Sequence, residues 1–276
     1  MNPHLAKSGS PKALVLSLWT HRSLTYQLSK REVVGRYRGS IGGMAWSFFN
    51  PLLMLAVYTF VFAVIFQARW AGLEQGGKGG FAIVLFVGIL VHGIFAECLN
   101  RAPTLIIGNP NYVKRVMFPL EILPLVAMGS ALFHSLISLV VLLVAQLFVL
   151  GYVPWTAVLL PLILAPLVLT TIGVAWIFAA FGVYLRDIGQ ITVVITTVAL
   201  FLSPVFYPAT ALPEAYRFVF LINPLTFIIE QAREVVIWGR PPNWAGLALY
   251  VLASLGVSWM GFWTFQKMRR GFADVL

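Results

Sequence analysis

Charge is what this chain has least of. Only 10 % of its 276 residues are Asp, Glu, Lys or Arg, and just 9 of them are acids. A soluble domain carries about a quarter charged residues. Water is therefore not the main solvent of this chain. One cysteine, Cys98, excludes an internal disulfide and a cysteine-held metal cluster. It lies in an apolar run and reads as a small packing residue. There is no HExxH, no GxSxG and no carboxylate pair, so the residues of an intramembrane enzyme are missing. No internal repeat supports an inverted-repeat transporter. The stretch GLEQGGKGG (72–80) comes close to a phosphate-binding loop, but Gly79 stands where Ser or Thr should hold magnesium. A Gly-rich hairpin between two spans is the better reading, so the chain is expected to hold no cofactor of its own.

Apolar residues are what it has most of: 60 % of the chain, in long runs. A helix needs ~20 apolar residues to cross ~30 Å of hydrocarbon. Six runs qualify: 48–67, 81–99, 122–150, 155–185, 188–207 and 244–265. The pattern predicts an all-α polytopic membrane protein with six transmembrane helices in a single domain, 1–276. Pro161 and Pro166 are expected to kink the fourth span. The first long run starts near Phe48, too deep for a cleavable leader, so residues 1–47 are expected to belong to the mature chain.

The cations set the orientation. With the N-terminus inside, most of the 19 Lys and Arg fall on the cytoplasmic side, leaving only Arg69, Lys78, Arg217, Arg233 and Arg240 outside. The positive-inside rule then places both termini in the cytoplasm. The net charge of +10 flanks the apolar runs and forms no continuous patch, so no nucleic-acid partner is expected. Residues 12–47 read as an amphipathic interface arm whose Lys30, Arg31, Arg36 and Arg38 suit anionic lipid headgroups. Residues 208–243 tempt a seventh span, but Asn223-Pro224 interrupts them and Arg217, Glu230, Arg233 and Glu234 punctuate them. They are expected to form a re-entrant pair of short amphipathic helices, a candidate outer gate.

Three ionisable residues fall in the spans. Glu97 is expected to pair with Arg101 at i+4. His92 and His134 stand alone in the sequence, either as interhelical hydrogen-bonding groups or as proton carriers. No motor is visible, so one is expected on a separate subunit. Its socket would be the stretch between Pro110 and Pro119, long enough for about two helical turns, with Asn109 or Asn111 as cap. Asn111, Tyr112, Val113, Lys114, Arg115, Val116, Met117 and Phe118 offer it apolar contact and charge. The plainer alternative is a stop-transfer loop with snorkelling cations. Arg186 and Asp187, in the second inner loop, are further candidates for that contact. Asp187 with Gln190 also reads as a capping box for the fifth span.

The blocks REVVGRYRGSIGGMAWSFFNPLLMLAVYTFVFAVIF (31–66), NPNYVKRVMFPLEILPL (109–125), LFLSPVFYP (200–208) and LINPLTFIIEQAREVVIWG (221–239) stand in an order and spacing that resemble membrane subunits of type-2 ABC exporters. The resemblance is to the Wzm-type permease of O-antigen polysaccharide exporters, with teichoic-acid and capsule exporters as relatives. It implies a homodimer with two ATPase subunits that hold the ATP and magnesium, in the bacterial inner membrane. It implies export of a lipid-linked polysaccharide outward. It makes 109–118 the coupling helix and 213–237 the gate helices, with the first and fifth spans lining the channel.

Tyr58, Phe62 and Phe66 share one helix face, and Phe201, Phe206 and Tyr207 mark the outer half of the fifth span. They could stack on sugars along a channel, or serve lipid-facing or interhelical packing. Arg36 and Arg38 are candidates for a lipid carrier's pyrophosphate. Other readings are a same-fold permease for drugs or small lipids, an enzyme acting on a lipid-linked sugar, and a proton-coupled carrier.

Overall fold

The computed structural model describes residues 9–66, 70, 77–114, 118–208, 218 and 223–276. Among these residues the chain is helical, with no strand. The arm is α1 (Pro11–Thr20) and α2 (Arg22–Tyr37). Then come α3 (Ala45–Tyr58), which runs on as a π-helical stretch over Thr59–Ile65, and α4 (Gly77–Arg101). Two short helices, α5 (Thr104–Ile107) and α6 (Pro110–Lys114), precede α7 (Leu123–Leu150). The rest is α8 (Leu160–Tyr184), α9 (Ile188–Phe201), α10 (Pro224–Arg233) with a π-helical end at Glu234–Trp238, α11 (Trp244–Met268) and α12 (Phe272–Val275).

Local chemistry explains the boundaries. Ser10 caps α1, its hydroxyl accepting from the Ala13 N–H at 3.2 Å, and Pro11 opens the helix at a position where no N–H is needed. The turn from arm to first span is RGSIGG, where Gly39 and Gly43 take φ of +85° and +48°, values that cost a residue with a Cβ. Pro161 sits in the first turn of α8, where it is tolerated. Only Pro166 therefore interrupts the interior of the fourth apolar run.

Among the described residues, five stretches are long and apolar enough to cross a membrane: Ala45–Phe62, Gly79–Arg101, Leu120–Leu150, Trp155–Tyr184 and Trp244–Val275. The sixth run is helical only over Ile188–Phe201, 14 residues. That is ~21 Å, short of a full crossing. Sequence explains the early stop: Pro204 offers no N–H and pushes Ser203 out of the helical region. The chain turns over Leu202–Val205 instead.

α4 is the central post. Its Val84, Val87, Val91, Ile94, Cys98 and Leu99 are buried, and it touches α3, α7, α8, α9 and α10. α8 and α11 form the most extensive helix pair, and small residues explain it. A Cβ on Gly261 would lie 2.0 Å from the Gly173 carbonyl oxygen, and one on Gly173 would lie 2.7 Å from Ser258 Cα. The two backbones are in direct contact. α3 and α9 lie at the open edge, with Phe49, Leu53, Val57, Val194 and Val198 exposed.

Gly261→Leu is expected to abolish the monodisperse peak in fluorescence-detected size exclusion, because backbone on the other side cannot yield. Gly256→Leu, on the same helix with open space around it, is expected to elute like the unaltered protein.

Candidate functional site

At one end of the bundle the sequence-predicted aromatics come together. The Phe62 ring stacks on Phe206 at 5.6 Å and on Phe81 at 5.7 Å, and Phe66 lies 5.7 Å from Phe62. Phe206 in turn stacks on Phe201 at 5.6 Å. The result is a continuous row from the π-helical end of α3 to the turn after α9, with Phe66 and Phe201 exposed. Tyr207 donates its hydroxyl to the Phe201 carbonyl. Tyr58 is half-buried one turn below Phe62. Trp70, at 5.8 Å from Phe81, connects the row to Arg233, whose guanidinium lies 4.6 Å over the indole.

Arg233 and Asn223 hold this end together. Arg233 is buried, and its guanidinium donates to the carbonyls of Val84 (3.1 Å), Pro204 and Val205 (3.0 Å). One side chain thus satisfies backbone on α4 and on the turn that ends α9. Asn223 caps α10 by accepting from the Leu225 N–H at 2.9 Å, and its amide donates to Leu202 O at 3.0 Å and Ser203 Oγ at 2.9 Å. Pro224 opens the helix, and its carbonyl accepts from the Tyr250 hydroxyl. Glu230 is half-buried on α10. At the far end of α10 three carbonyls left over by the π-helical turn accept from Gln146 (Val236 O, 2.7 Å), Thr156 (Val235 O, 2.6 Å) and Tyr152 (Ile237 O, 3.3 Å). The second half of the expected hairpin is therefore buried in protein against α4 and α8. Its first half, Arg217 included, lies outside the described residues apart from Phe218.

At the arm end, the polar pairs differ from the expected ones. Glu97 does not pair with Arg101. It accepts from Arg36 at 2.8 Å and meets His134 Nδ1 at 2.9 and 3.0 Å, while Arg101 pairs with Glu32 of the arm. Sequence spacing favoured the i+4 neighbour, but α2 lies along α7 and brings its own charges to both residues. His134 is thus not isolated: Arg36 Nη1 is 3.1 Å from it. His92 pairs with the Thr196 carbonyl at 2.9 Å. Arg38 stands exposed beyond the end of α2, and of the two predicted arginines only Arg36 reaches this cluster. The cluster floors a cavity of about 300 Å³ between α3, α4 and α7, walled by Met54, Phe86, Ile89 and Leu90. Tyr37 lies beside it, its phenol pKa raised chiefly by burial, against the opposing charge of Arg36. Among the described residues no group of His, Cys, Asp or Glu is arranged to hold a metal.

The socket segment lies at the same end. α6 covers Pro110–Lys114, the described part of the two turns expected there; Arg115, Val116 and Met117 lie outside the described residues. Asn111 and Lys114 are exposed, Val113 is buried, and Tyr112 stacks flat on Phe118 at 4.2 Å. Asn109 stands directly before α6, its backbone carbonyl accepting from the Tyr112 N–H at 3.0 Å, while its side-chain amide donates to the Leu105 carbonyl at 2.9 Å. Arg186 and Asp187 are exposed in the turn before α9. Asp187 occupies the N-cap position without a side-chain bond, so the capping box is not formed. Sequence reasoning missed Arg269, which had been counted only as an inner-face cation. It is buried against Glu121 at 2.7 Å and also holds the Phe118 carbonyl at 3.1 Å. A charge just past an apolar run signals an interface, and nothing in it names a partner 148 residues away.

Arg233→Met is expected to lower the unfolding free energy by roughly 3 kcal/mol or more, since hydrogen bonds from a charged donor contribute about 1.5–3 kcal/mol each. Denaturant unfolding in mild detergent measures it. A variant as stable as the unaltered protein would show that those carbonyls find other donors.

Residues 23–237 match the family model of the ABC-2 type transporter. The O-antigen export system permease protein RfbA of Myxococcus xanthus is 27 % identical over 263 residues, covering 95 % of this chain and 98 % of that one. A protein of the same name from Klebsiella pneumoniae is 24 % identical over 251 residues, covering 90 % and 93 %. The polysialic acid transport protein KpsM of Escherichia coli is 23 % identical over 238 residues, covering 82 % and 86 %. With most of its length inside the matched region, this chain belongs to the ABC-2 type transporter family.

Proposed function

We propose that this chain is the transmembrane subunit of an ATP-driven exporter that moves a lipid-linked polysaccharide of O-antigen type across the bacterial inner membrane, from the cytoplasmic face outward. Two copies pair with each other and with two ATPase subunits that hold ATP and magnesium. The observation that carries this reading is end-to-end similarity to proteins named as O-antigen export permeases. The geometry supports it from two sides. The row Phe66–Phe62–Phe206–Phe201 lies on the open α3–α9 edge, where a second copy would enclose a path. Aromatic faces stack on the C–H faces of sugars without reading their identity, which suits a sliding polymer. In this reading α9 and the turn after it complete a sixth span, and both termini lie in the cytoplasm.

The segment 110–118 is the coupling element, with Lys114 and Asn111 exposed to the ATPase and Val113 and the Tyr112–Phe118 stack facing the bundle. Arg186 and Asp187 contribute the second contact. Arg36 and Arg38, at headgroup height, meet the substrate's pyrophosphate, and α10 with its preceding segment, Arg217 included, forms the outer gate. Similarity to the polysialic acid transport protein favours one second reading, a capsule polysaccharide as cargo.

Purification from native membranes in mild detergent tests the proposal first: a stoichiometric ATPase subunit is expected with this chain. Tyr112→Ala together with Lys114→Ala is expected to keep that complex and its ATP hydrolysis while lowering surface polysaccharide roughly tenfold, in line with coupling of 1–3 kcal/mol between linked sites. Immunoblotting of the surface glycan measures it. A doubly altered protein that exports normally would remove 110–118 from the coupling role.

A further inference from the structure

We propose that Arg269 is the positioning residue that locks the coupling segment to the last membrane helix, so that the two move as one body. The inference rests on the reading of 110–118 as the contact for an ATPase. Glu121 stands three residues beyond Phe118, the end of that segment. Its carboxylate takes Arg269 Nη1 at 2.7 Å and the Ser17 hydroxyl at 3.1 Å, and its backbone carbonyl takes Trp176 Nε1 at 2.9 Å. Four elements thus meet at one residue: the arm helix α1, the turn before α7, α8, and the end of α11. Arg269 adds a second grip, donating from Nη2 to the Phe118 carbonyl at 3.1 Å. Phe118 is the residue whose ring stacks on Tyr112 of α6. A guanidinium fork therefore spans both ends of the Phe118–Glu121 turn, and α12, directly beyond Arg269, packs against α6.

Stability alone is a poor reason for this arrangement. The Arg269 and Glu121 side chains are only 4 % and 2 % exposed, so both charges have given up their hydration. Apolar replacements of such pairs are often neutral or stabilising. What the pair supplies is a fixed geometry. A four-carbon ammonium would reach one acceptor, whereas the planar fork reaches the carboxylate and the carbonyl together. Without it, a push on α6 is absorbed by the Phe118–Glu121 turn. With it, the push goes into α11, which is in backbone contact with α8 through Gly173 and Gly261.

The test uses the complex of this chain with its co-purifying ATPase in lipid nanodiscs. Spin labels are placed at Asn111→Cys and Lys267→Cys, both exposed in this chain, in a Cys98→Ala background; because Asn111 belongs to the proposed ATPase contact, the reference is the labelled chain with Arg269 intact, shown to hold the ATPase and hydrolyse ATP. The expected result is one label–label distance distribution with and without ATP in the otherwise unaltered chain. In Arg269→Gln that distance is expected to become nucleotide-dependent, with ATP hydrolysis retained in the nanodiscs and the surface polysaccharide of cells carrying the unlabelled Arg269→Gln chain lowered roughly tenfold. Arg269→Lys keeps the charge but loses the fork, and is expected to give the same change in weaker form; it decides the matter if the Gln variant does not assemble. A distance that shifts with ATP in the unaltered chain overturns the proposal, and so does an assembled Arg269 variant whose distance and export match the unaltered chain. Failure of any ATPase to co-purify removes the reading of 110–118 itself, and this inference with it.

Discussion

Hydrocarbon offers no hydrogen bonds, so every backbone group inside the bundle must find its partner in protein. Helices do this for themselves everywhere except at their ends and interruptions. This chain has several such places at depth: α9 stops after 14 residues, α3 and α10 finish as π-helical turns, and α10 begins in the interior. The breaks at α9 and α10 free carbonyls, and specific side chains meet them. Arg233 takes the turn after α9, Asn223 bridges that turn to α10, and Gln146, Tyr152 and Thr156 take the end of α10. Remove those donors and the irregular half of the molecule has no stable alternative. The aromatic row depends on the same solution. Phe206 reaches Phe62 only because the chain turns at Leu202–Val205, and that turn persists because Arg233 and Asn223 hold it.

The other end of the molecule is governed by charge. Nine acids must serve a chain of 19 basic residues, and three of them sit at junctions. Glu32 joins arm to α4, Glu97 joins arm to α4 and α7, and Glu121 joins α1, α7, α8 and α11. All three connect elements far apart in sequence. The arm is attached by these pairs and by apolar packing as well: Val33 of α2 is buried, and Ala13, Leu14 and Leu18 of α1 pack, partly exposed, against the core.

Much of the fold was legible because hydropathy and proline are local signals. The long runs that became α4, α7, α8 and α11 follow from composition alone, and Asn223-Pro224 announced the start of α10. The aromatic row was half legible. Helical spacing put Phe62 and Phe66 together, but only the turn at Pro204 brings Phe206 and Phe201 to them. The pairs were not legible. An acid and a base four apart, Glu97 and Arg101, give the strongest local expectation available, and both chose partners on α2. Arg233 shows a similar gap. In sequence it is one of several charges arguing against a seventh span, and in the structure it is the buried donor that ties α10 to α4 and to the turn after α9.

These two ends explain why the middle of the molecule is so plain. Between the aromatic row and the acid-centred junctions, α4, α8 and α11 pack through small and β-branched residues, closely enough that Gly173 and Gly261 touch by backbone. Close-packed helices resist bending and transmit displacement, whereas loosely packed ones absorb it. A family member that must relate an event at one membrane face to a path opening at the other needs such a rigid centre. It also needs adjustable contacts outside it. Here the adjustable contacts are the partly exposed ion pairs between arm and α4, Arg36–Glu97 and Arg101–Glu32. Both can exchange partners without opening a cavity in the core. By this argument, rearrangement in this chain is confined to the helix ends, and the α8–α11 contact stays constant in any state the protein adopts.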